Sequence, residues 1–136
     1  ALKALTVLAG KKAYPEIEKG FDDISKDVRL VSINAIGYLS IRQGLKHLER
    51  LYPKSGATLR KAIVKTSCYF KNERSKKIIL NACQDKDNDI RIEALKSFQR
   101  LNMGEYINRI SYLVYDRNEE VRKLARELYE IHKELA

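Results

Sequence analysis

Four arginines recur at a fixed spacing along the chain. An aliphatic residue followed by arginine occurs at residues 28–29, 59–60, 90–91 and 121–122, and consecutive pairs stand 31 residues apart. A guanidinium pairs with carboxylates or phosphates, so the series could hold the fold together or bind an anion. A period between about 20 and 50 residues is typical of a solenoid. We therefore interpret the series first as part of a structural repeat.

A second set of residues offers charge and aromatic rings for binding. Four cations and two tyrosines stand one, five or nine residues after a repeated arginine, positions that share one side of a helix. They are Lys61, Lys65, Lys96, Arg100, Tyr38 and Tyr69. A basic stripe with aromatic neighbours suits nucleic-acid backbones and acidic peptides alike. The competing interpretation is a solvated helix face for the cations and ordinary packing for the tyrosines.

Residues for enzymatic chemistry are sparse. His47 and His132 are the only histidines, and no cysteine or acid stands near them at the spacing of metal ligands. Cys83 falls in an apolar column and is expected in the core, while Cys68 lies beside the basic stripe. No Ser-His-Asp grouping, phosphate-binding glycine loop or pair of catalytic carboxylates is found. We therefore predict no catalytic residue, no metal site and no cofactor, and a protein that is not an enzyme.

The charge balance indicates the kind of partner. A net charge of +9 favours acidic partners, although a lysine-rich surface that serves only solubility gives the same number. No apolar run approaches the roughly 18 residues of a membrane span, so we expect no membrane insertion. The two cysteines match no disulfide framework, which favours a reduced, cytoplasmic location.

Two helices in each repeat must position these residues. Twelve, nine and eight residues before each arginine, mostly apolar side chains form one stripe of a short helix, called helix A. Four residues before each arginine stands a residue favoured at a helix N-cap, so a second helix, called helix B, starts about three residues before each arginine. The four caps are Ser25, Gly56, Asp87 and Asn118. Because neither helix can bury its apolar face alone, the repeats must stack. The predicted fold is all-α, an α-solenoid of antiparallel helix pairs.

The repeat also predicts the domain boundaries. Residues 1–136 form one domain with repeats at about 10–40, 41–71, 72–102 and 103–136. The opening stretch ALKALTVL aligns with ALKSFQRL at 94–101, three periods later. Residues 1–9 are therefore expected to be the remnant of a helix B whose helix A is missing. We predict a fragment of a longer chain that continues N-terminally with at least one more helix of the same kind.

The repeat resembles the short HEAT-like repeats of phycobilin lyase subunits and many other bacterial proteins. Those repeats carry an Asp-x-Asp-x-acid-Val-Arg stretch with alanine at the third position after the arginine. DKDNDIRIEAL (85–95) and DRNEEVRKLA (116–125) match it closely, and DISKDVRLVS (23–32) matches it fairly. KSGATLRKAI (54–63) lacks all three acids. The resemblance implies the fold, whereas the function stays open because such repeats serve many purposes.

The resemblance also implies a role for the repeated arginines. In these proteins the arginine bonds acids in the turns of its own or an adjacent repeat, which produces a ladder along the stack. Here the ladder would consist of Arg29, Arg60, Arg91 and Arg122, with Asp23, Asp85 and Asp116, which stand six residues before an arginine, as acceptors. Lys54 interrupts the series of acids, so we expect Arg60 to contribute less to stability than Arg91.

Three functions compete at this point. The leading hypothesis is a non-enzymatic scaffold that binds a protein partner, or another domain of its parent chain, through the concave surface lined by the B helices. The alternative is DNA binding in a basic groove, as in a family of HEAT-like DNA glycosylases that the chain resembles in fold. Those enzymes rely on groove aromatics that include tryptophan, and this sequence has no tryptophan. An accessory lyase subunit is a weaker alternative, for which we find no specific residue.

Overall fold

Every regular element between residues 12 and 136, the part of the chain that the computed structural model describes, is a helix. The expected all-α class is confirmed for these residues. The B helices are α2 (Lys26–Tyr38), α4 (Ala57–Ser67), α6 (Asn88–Arg100) and α8 (Glu119–His132). The A helices are α1 (12–20), α3 (Leu45–Leu51), α5 (Glu73–Ala82) and α7 (Ile107–Ile110).

The starts of the B helices follow directly from their caps. All four begin three residues before the repeated arginine, after the predicted N-cap residue. The Ser25 hydroxyl accepts the amide of Val28, and the Asn118 side chain accepts the amide of Val121. Gly56 adopts the same extended cap conformation but has no side chain to offer. The predicted N-caps are confirmed, because the cap oxygens satisfy amides that the first helical turn leaves free.

Two of the B helices end in the same chain reversal. The residue after the helical C-cap is left-handed in both, with φ of 55° at Ser40 and 52° at Asn102. The next amide then reaches back five residues, from Ile41 to the carbonyl of Ile36 and from Met103 to that of Phe98. This hydrogen bond closes the helix end and turns the chain toward the next A helix.

The A helices are shorter and less regular than the B helices. Residues of 3₁₀ helix precede α3 at Arg42–Gly44 and follow it at Tyr52–Lys54, where Pro53 cannot continue an α-helix. In the last repeat, 3₁₀ turns at Gly104–Tyr106 and Ser111–Tyr115 leave α7 only four residues long. The sequence of the second turn, SYLVY, is rich in aromatic and β-branched residues, which are weak helix formers. Helix A of this repeat is therefore a single α-helical turn between two 3₁₀ segments rather than one continuous helix.

Contacts between the helices follow the order of the repeats. Helix α4 packs against α2 on one side and α6 on the other, and α6 packs in turn against α8. Among the A helices α3 contacts α5, and α5 also contacts α4 and α6. The predicted A-helix column at Leu48, Ile79 and Ile110 is buried, with each residue at most 1% exposed. The core thus lies between the A layer and the B layer.

Helices α2 and α4 come into close contact at a glycine. A Cβ atom added at Gly37 would lie 2.7 Å from Cδ2 of Tyr69 and 3.2 Å from Cγ2 of Thr66. One turn earlier, the Thr66 hydroxyl donates to the carbonyl of Ile33 at 3.3 Å. The small residue therefore allows a side chain of one B helix to lie across the backbone of the preceding one.

The predicted remnant of a helix B at residues 1–9, and the N-terminal continuation inferred from it, lie outside the described residues. Between residues 12 and 136, no helix combines the length and the apolar composition that a membrane crossing requires.

Candidate interaction surface

Two of the repeated arginines, Arg60 and Arg91, each connect the turn of their own repeat to the next turn. Arg60 Nε lies 2.9 Å from Oδ2 of Asp85, and its Nη2 donates to Oδ1 at 3.2 Å. The Tyr52 hydroxyl donates to the same carboxylate, and Arg60 Nη1 donates to the carbonyl of Ser55 at 2.8 Å. The side chains of Arg60 and Asp85 are only 12% and 5% exposed. A bidentate arginine–carboxylate pair that is largely shielded from solvent fixes the relative geometry of its partners. This pair therefore holds the two turns together.

Arg91 makes the corresponding contacts one repeat later. Its Nη2 donates to Asp116 Oδ2 at 3.1 Å, and its Nε lies 3.1 Å from Oδ1, within ion-pair distance but not aligned as a hydrogen bond. Arg91 Nη1 also donates to the carbonyl of Asp85 at 2.7 Å, and Nη2 bonds the Asn88 side chain. Arg91 therefore connects the turn of its own repeat to the turn of the next.

The acceptor rule inferred from the resemblance needs a correction. The carboxylate that receives each arginine stands 25 residues after it, at Asp85 and Asp116, whereas the acid six residues before the arginine offers its backbone carbonyl. The carboxylate of Asp23 accepts the amide of Ser25, and Arg29 donates to the carbonyl of Asp23 at 2.6 Å. Lys54 occupies the position 25 residues after Arg29. The arginine that lacks a carboxylate partner at this spacing is therefore Arg29, not Arg60.

The expectation that Arg60 contributes less than Arg91 therefore loses its basis, because Arg60 has its carboxylate in the following repeat. Arg122 donates to the carbonyls of Asp116 and Arg117. The four arginines thus fall into two groups, two bound to a carboxylate and two bound to backbone carbonyls.

The pKa values at the Arg60 pair agree with its geometry. Burial opposes ionisation of Asp85, but the hydrogen bonds from Tyr52 and Arg60 outweigh it and hold the pKa of this carboxyl below its usual value. The hydrogen bond to Asp85 raises the pKa of Arg60, although burial opposes this shift. Burial, followed by the bond to Asp85, raises the pKa of Tyr52. Both partners of the pair therefore stay ionised, and the tyrosine stays a donor.

The outer side of the B helices carries the six residues predicted to bind. We define the B-helix face as the residues one, five and nine positions after each repeated arginine. They are Leu30, Asn34 and Tyr38 on α2; Lys61 and Lys65 on α4, with Tyr69 in the turn that follows it; Ile92, Lys96 and Arg100 on α6; and Lys123, Glu127 and Ile131 on α8. Because α4 lies between α2 and α6, the structure brings all six predicted residues onto three neighbouring helices and the turn after α4.

The side chains of this face are largely available. Tyr38 and Tyr69 are 79% and 73% exposed, Lys65, Lys96 and Arg100 are exposed, and Lys61 is half-buried. Between residues 12 and 136, none of these four cations lies within 4.0 Å of a carboxylate oxygen. On α4 no residue is acidic, and on α6 the one acid beyond the first turn is Glu93, which is half-buried. The centre of the face is therefore positive and uncompensated.

The opposite, A-helix face carries its charge differently. We define it by the ion pairs that join one A helix, or its flanking turn, to the next. They are Glu18–His47 at 3.0 Å, Asp22–Arg50 at 3.1 Å, Glu49–Arg74 and Glu49–Lys77 at 3.2 Å, and Lys76–Glu105 at 3.4 Å. The hydrogen bond from Arg50 lowers the pKa of Asp22. Cations on this face thus have partners within the fold.

The candidate catalytic side chains take structural positions. The ring of His47 stacks on Phe21 with centroids 5.1 Å apart, and its Nε2 lies 3.0 Å from Glu18 Oε2. Cys83 is fully buried, and burial raises the pKa of its thiol to about 12. Cys68 is 7% exposed and lies under Arg100, with its Sγ 3.8 Å from Nη1. Within residues 12–136, no group of three or more potential metal ligands occurs.

A surface cavity of about 540 Å³ lies on the A side over α5. Its lining includes Tyr52, Leu80 and both acidic and basic side chains. Several of these charges already bond one another, as in the pair of Glu49 with Lys77. The two acids and three bases of the cavity leave an excess of one positive charge, so the B-helix face, with four cations on α4 and α6 and no paired acid, is the better candidate.

Sequence reasoning identified the residues of the B-helix face but missed the direction of the arginine contacts. Sequence reasoning also missed the hydrogen bond that the Tyr52 hydroxyl donates to Asp85. One signal was present in the sequence: the residues 25 positions after Arg60 and Arg91 are both aspartates. In the comparisons with known proteins, no family model matches this chain, and no curated protein matches it significantly.

Proposed function

We propose that this chain is a non-enzymatic interaction module, an α-solenoid of HEAT-like repeats. In this proposal it binds a protein partner, or another domain of its parent protein, through the B-helix face. The observation that carries the proposal is the group of four cations on α4 and α6 that have no carboxylate partner among the described residues, next to two exposed tyrosines. A surface of this kind attracts a partner of opposite charge.

The repeat architecture has support from three sides. The four B helices begin at the same point of a 31-residue period. Each inner B helix contacts the B helices of the repeats before and after it. Arg60 and Arg91 each reach the acid of the next turn, as the arginines of HEAT-like repeats are expected to do. Together these features favour repeats at about 10–40, 41–71, 72–102 and 103–136.

The non-enzymatic part of the proposal rests on the contacts of the reactive residue types. The imidazole of His47 is held between Phe21 and Glu18, and the thiol of Cys83 is sealed in the core. A nucleophile or base needs access to substrate and a partner that activates it. We also place the protein in the cytoplasm, because its two buried cysteines are free thiols.

Binding of a fluorescein-labelled oligo-glutamate peptide, followed by anisotropy at low salt, tests the proposal. The variant K65E/K96E reverses two charges on the B-helix face, and K19E/K46E reverses two exposed charges on α1 and α3. Both variants lower the net charge by the same amount. We expect K65E/K96E to weaken binding by about tenfold or more, and K19E/K46E to stay within about twofold of the native chain.

A parallel binding measurement with a labelled oligo-thymidine distinguishes a nucleic-acid partner from a protein partner. Four phosphate contacts on a single strand would give a slope of about −3 for log K against log salt. A tighter complex with the oligonucleotide than with the peptide, with that slope, would favour nucleic acid. Equal loss of peptide binding in the two charge-reversal variants would contradict the B-helix face as the site.

A further inference from the structure

The residues nine positions after the repeated arginines form a continuous row across the ends of three B helices. Tyr69 lies over Gly37, where an added Cβ would be 2.7 Å from the ring, and Arg100 lies over Cys68 at 3.8 Å. Each of these side chains thus contacts the end of the preceding repeat's B helix. The contacted residue, Gly37 or Cys68, directly precedes the residue of the same row in that repeat, Tyr38 or Tyr69. Tyr38, Tyr69 and Arg100 together present one edge of the B-helix face to solvent.

Charge and aromatic rings are distributed unequally along this face. Helix α2 contributes Tyr38 but no cation, since the other two positions hold Leu30 and Asn34. Helix α6 contributes Lys96 and Arg100 but no aromatic residue. Helix α4 contributes Lys61 and Lys65, and Tyr69 follows in the turn directly after this helix. The face therefore changes from aromatic over α2 to cationic over α6.

This gradient favours one class of partner over another. Each nucleotide of a nucleic acid brings both a phosphate and a base, so its binding surfaces interleave cations and aromatic rings along the strand. A protein segment has no such constraint, since acidic and apolar side chains can stand in separate blocks. Tyrosine is also one of the residues enriched at the energetic centres of protein interfaces.

We propose that the partner of the B-helix face is a protein segment with an acidic block next to an aromatic or long aliphatic residue. The acidic side chains bind Lys61, Lys65, Lys96 and Arg100, and the apolar side chain packs on Tyr38 and Tyr69. This inference rests on the proposed function and adds to it the composition and the orientation of the partner. The acidic block lies over α4 and α6, and the apolar residue lies over α2.

Two labelled peptides test this composition. Both carry the same block of glutamates, followed in one by two phenylalanines and in the other by two alanines. On the native chain we expect the phenylalanine peptide to bind about threefold to tenfold more tightly. Tyr38→Ala should remove this preference without lowering the melting temperature, because the Tyr38 side chain is 79% exposed. Tyr115→Ala, which removes an 84% exposed ring outside the B-helix face, should keep the preference.

The outcomes separate this inference from the proposed function. Equal affinity of the two peptides on the native chain, with binding still lost in K65E/K96E, would overturn the aromatic part and leave the charged interaction module. Binding of neither peptide would overturn both. A single-stranded oligonucleotide that binds more tightly than both peptides and depends on Tyr38 would overturn the protein segment in favour of nucleic acid.

Discussion

The A-helix face and the B-helix face are both rich in charge, but they use it differently. On the A side, basic groups such as Arg50 and Lys76 lie within 3.4 Å of acids on the neighbouring helix or turn. On the B side, Lys65 and Lys96 occupy equivalent positions on neighbouring helices and have no acid between them among the described residues. Side chains that pair within the fold stabilise it, whereas like charges on neighbouring helices repel one another.

This difference supports the proposal that the A-helix face stabilises the fold and the B-helix face binds a partner. Exposed ion pairs each contribute little, roughly 0.2–1 kcal/mol, but the pairs of the A side link one helix to the next. The four cations that α4 and α6 contribute to the B-helix face have no carboxylate within 4.0 Å among the described residues, so in our proposal a partner supplies their counter-charge. Buried charge forms a third region in the turns between the layers, where Arg60 and Arg91 meet their aspartates.

The largest effect is expected in that buried region. Arg91→Ala should lower the free energy of unfolding by about 3 kcal/mol, because it leaves the largely buried Asp116 carboxylate without its cation. Chemical denaturation followed by circular dichroism measures this loss. Arg29→Ala is the matched control, since Arg29 is bound to backbone carbonyls and the residue 25 positions after it is Lys54 instead of an aspartate. We expect Arg29→Ala to lower the free energy of unfolding by less than about 1 kcal/mol. Equal losses in the two variants would show that the carboxylate contacts add nothing.

A smaller effect compares the two faces directly. The variant R50Q/K76Q removes two cations of the A side and should cost about 0.5–1 kcal/mol, because the pairs with Asp22 and Glu105 are lost. The variant K65Q/K96Q removes two cations of the B side and should leave stability unchanged or raise it by up to about 0.5 kcal/mol. Both variants lower the net charge equally. A larger loss for K65Q/K96Q would mean that these lysines support the fold and would weaken the case for a binding surface.

The periodic features of the fold could be predicted from the sequence because they depend on local chemistry. Ser25, Asp87 and Asn118 cap their helices through side chains that bond amides within three residues. The buried A-helix column follows from helical periodicity alone. The six residues of the proposed site were also identified this way, since positions one, five and nine after an arginine share a helix side.

Other features depend on contacts that local patterns do not contain. The carboxylate that Arg60 binds stands in the next repeat, so its identity depends on how far one repeat is shifted against another. The irregular helix A of the last repeat reflects SYLVY, whose weak helix propensity competes with the repeat pattern. The charge pairs of the A side likewise depend on neighbouring helices, as in Glu49 with Arg74.

A titration of the isotopically labelled chain with an oligo-glutamate peptide, followed by amide chemical shifts, tests the central claim most directly. We predict shifts concentrated on the outer positions of α4 and α6, at Lys65, Lys96 and Arg100, with the A helices unchanged. We also predict that these shifts disappear in K65E/K96E and persist in K19E/K46E. Shifts centred on α3 and α5, or spread evenly over both faces, would contradict the claim that the B-helix face is the binding surface.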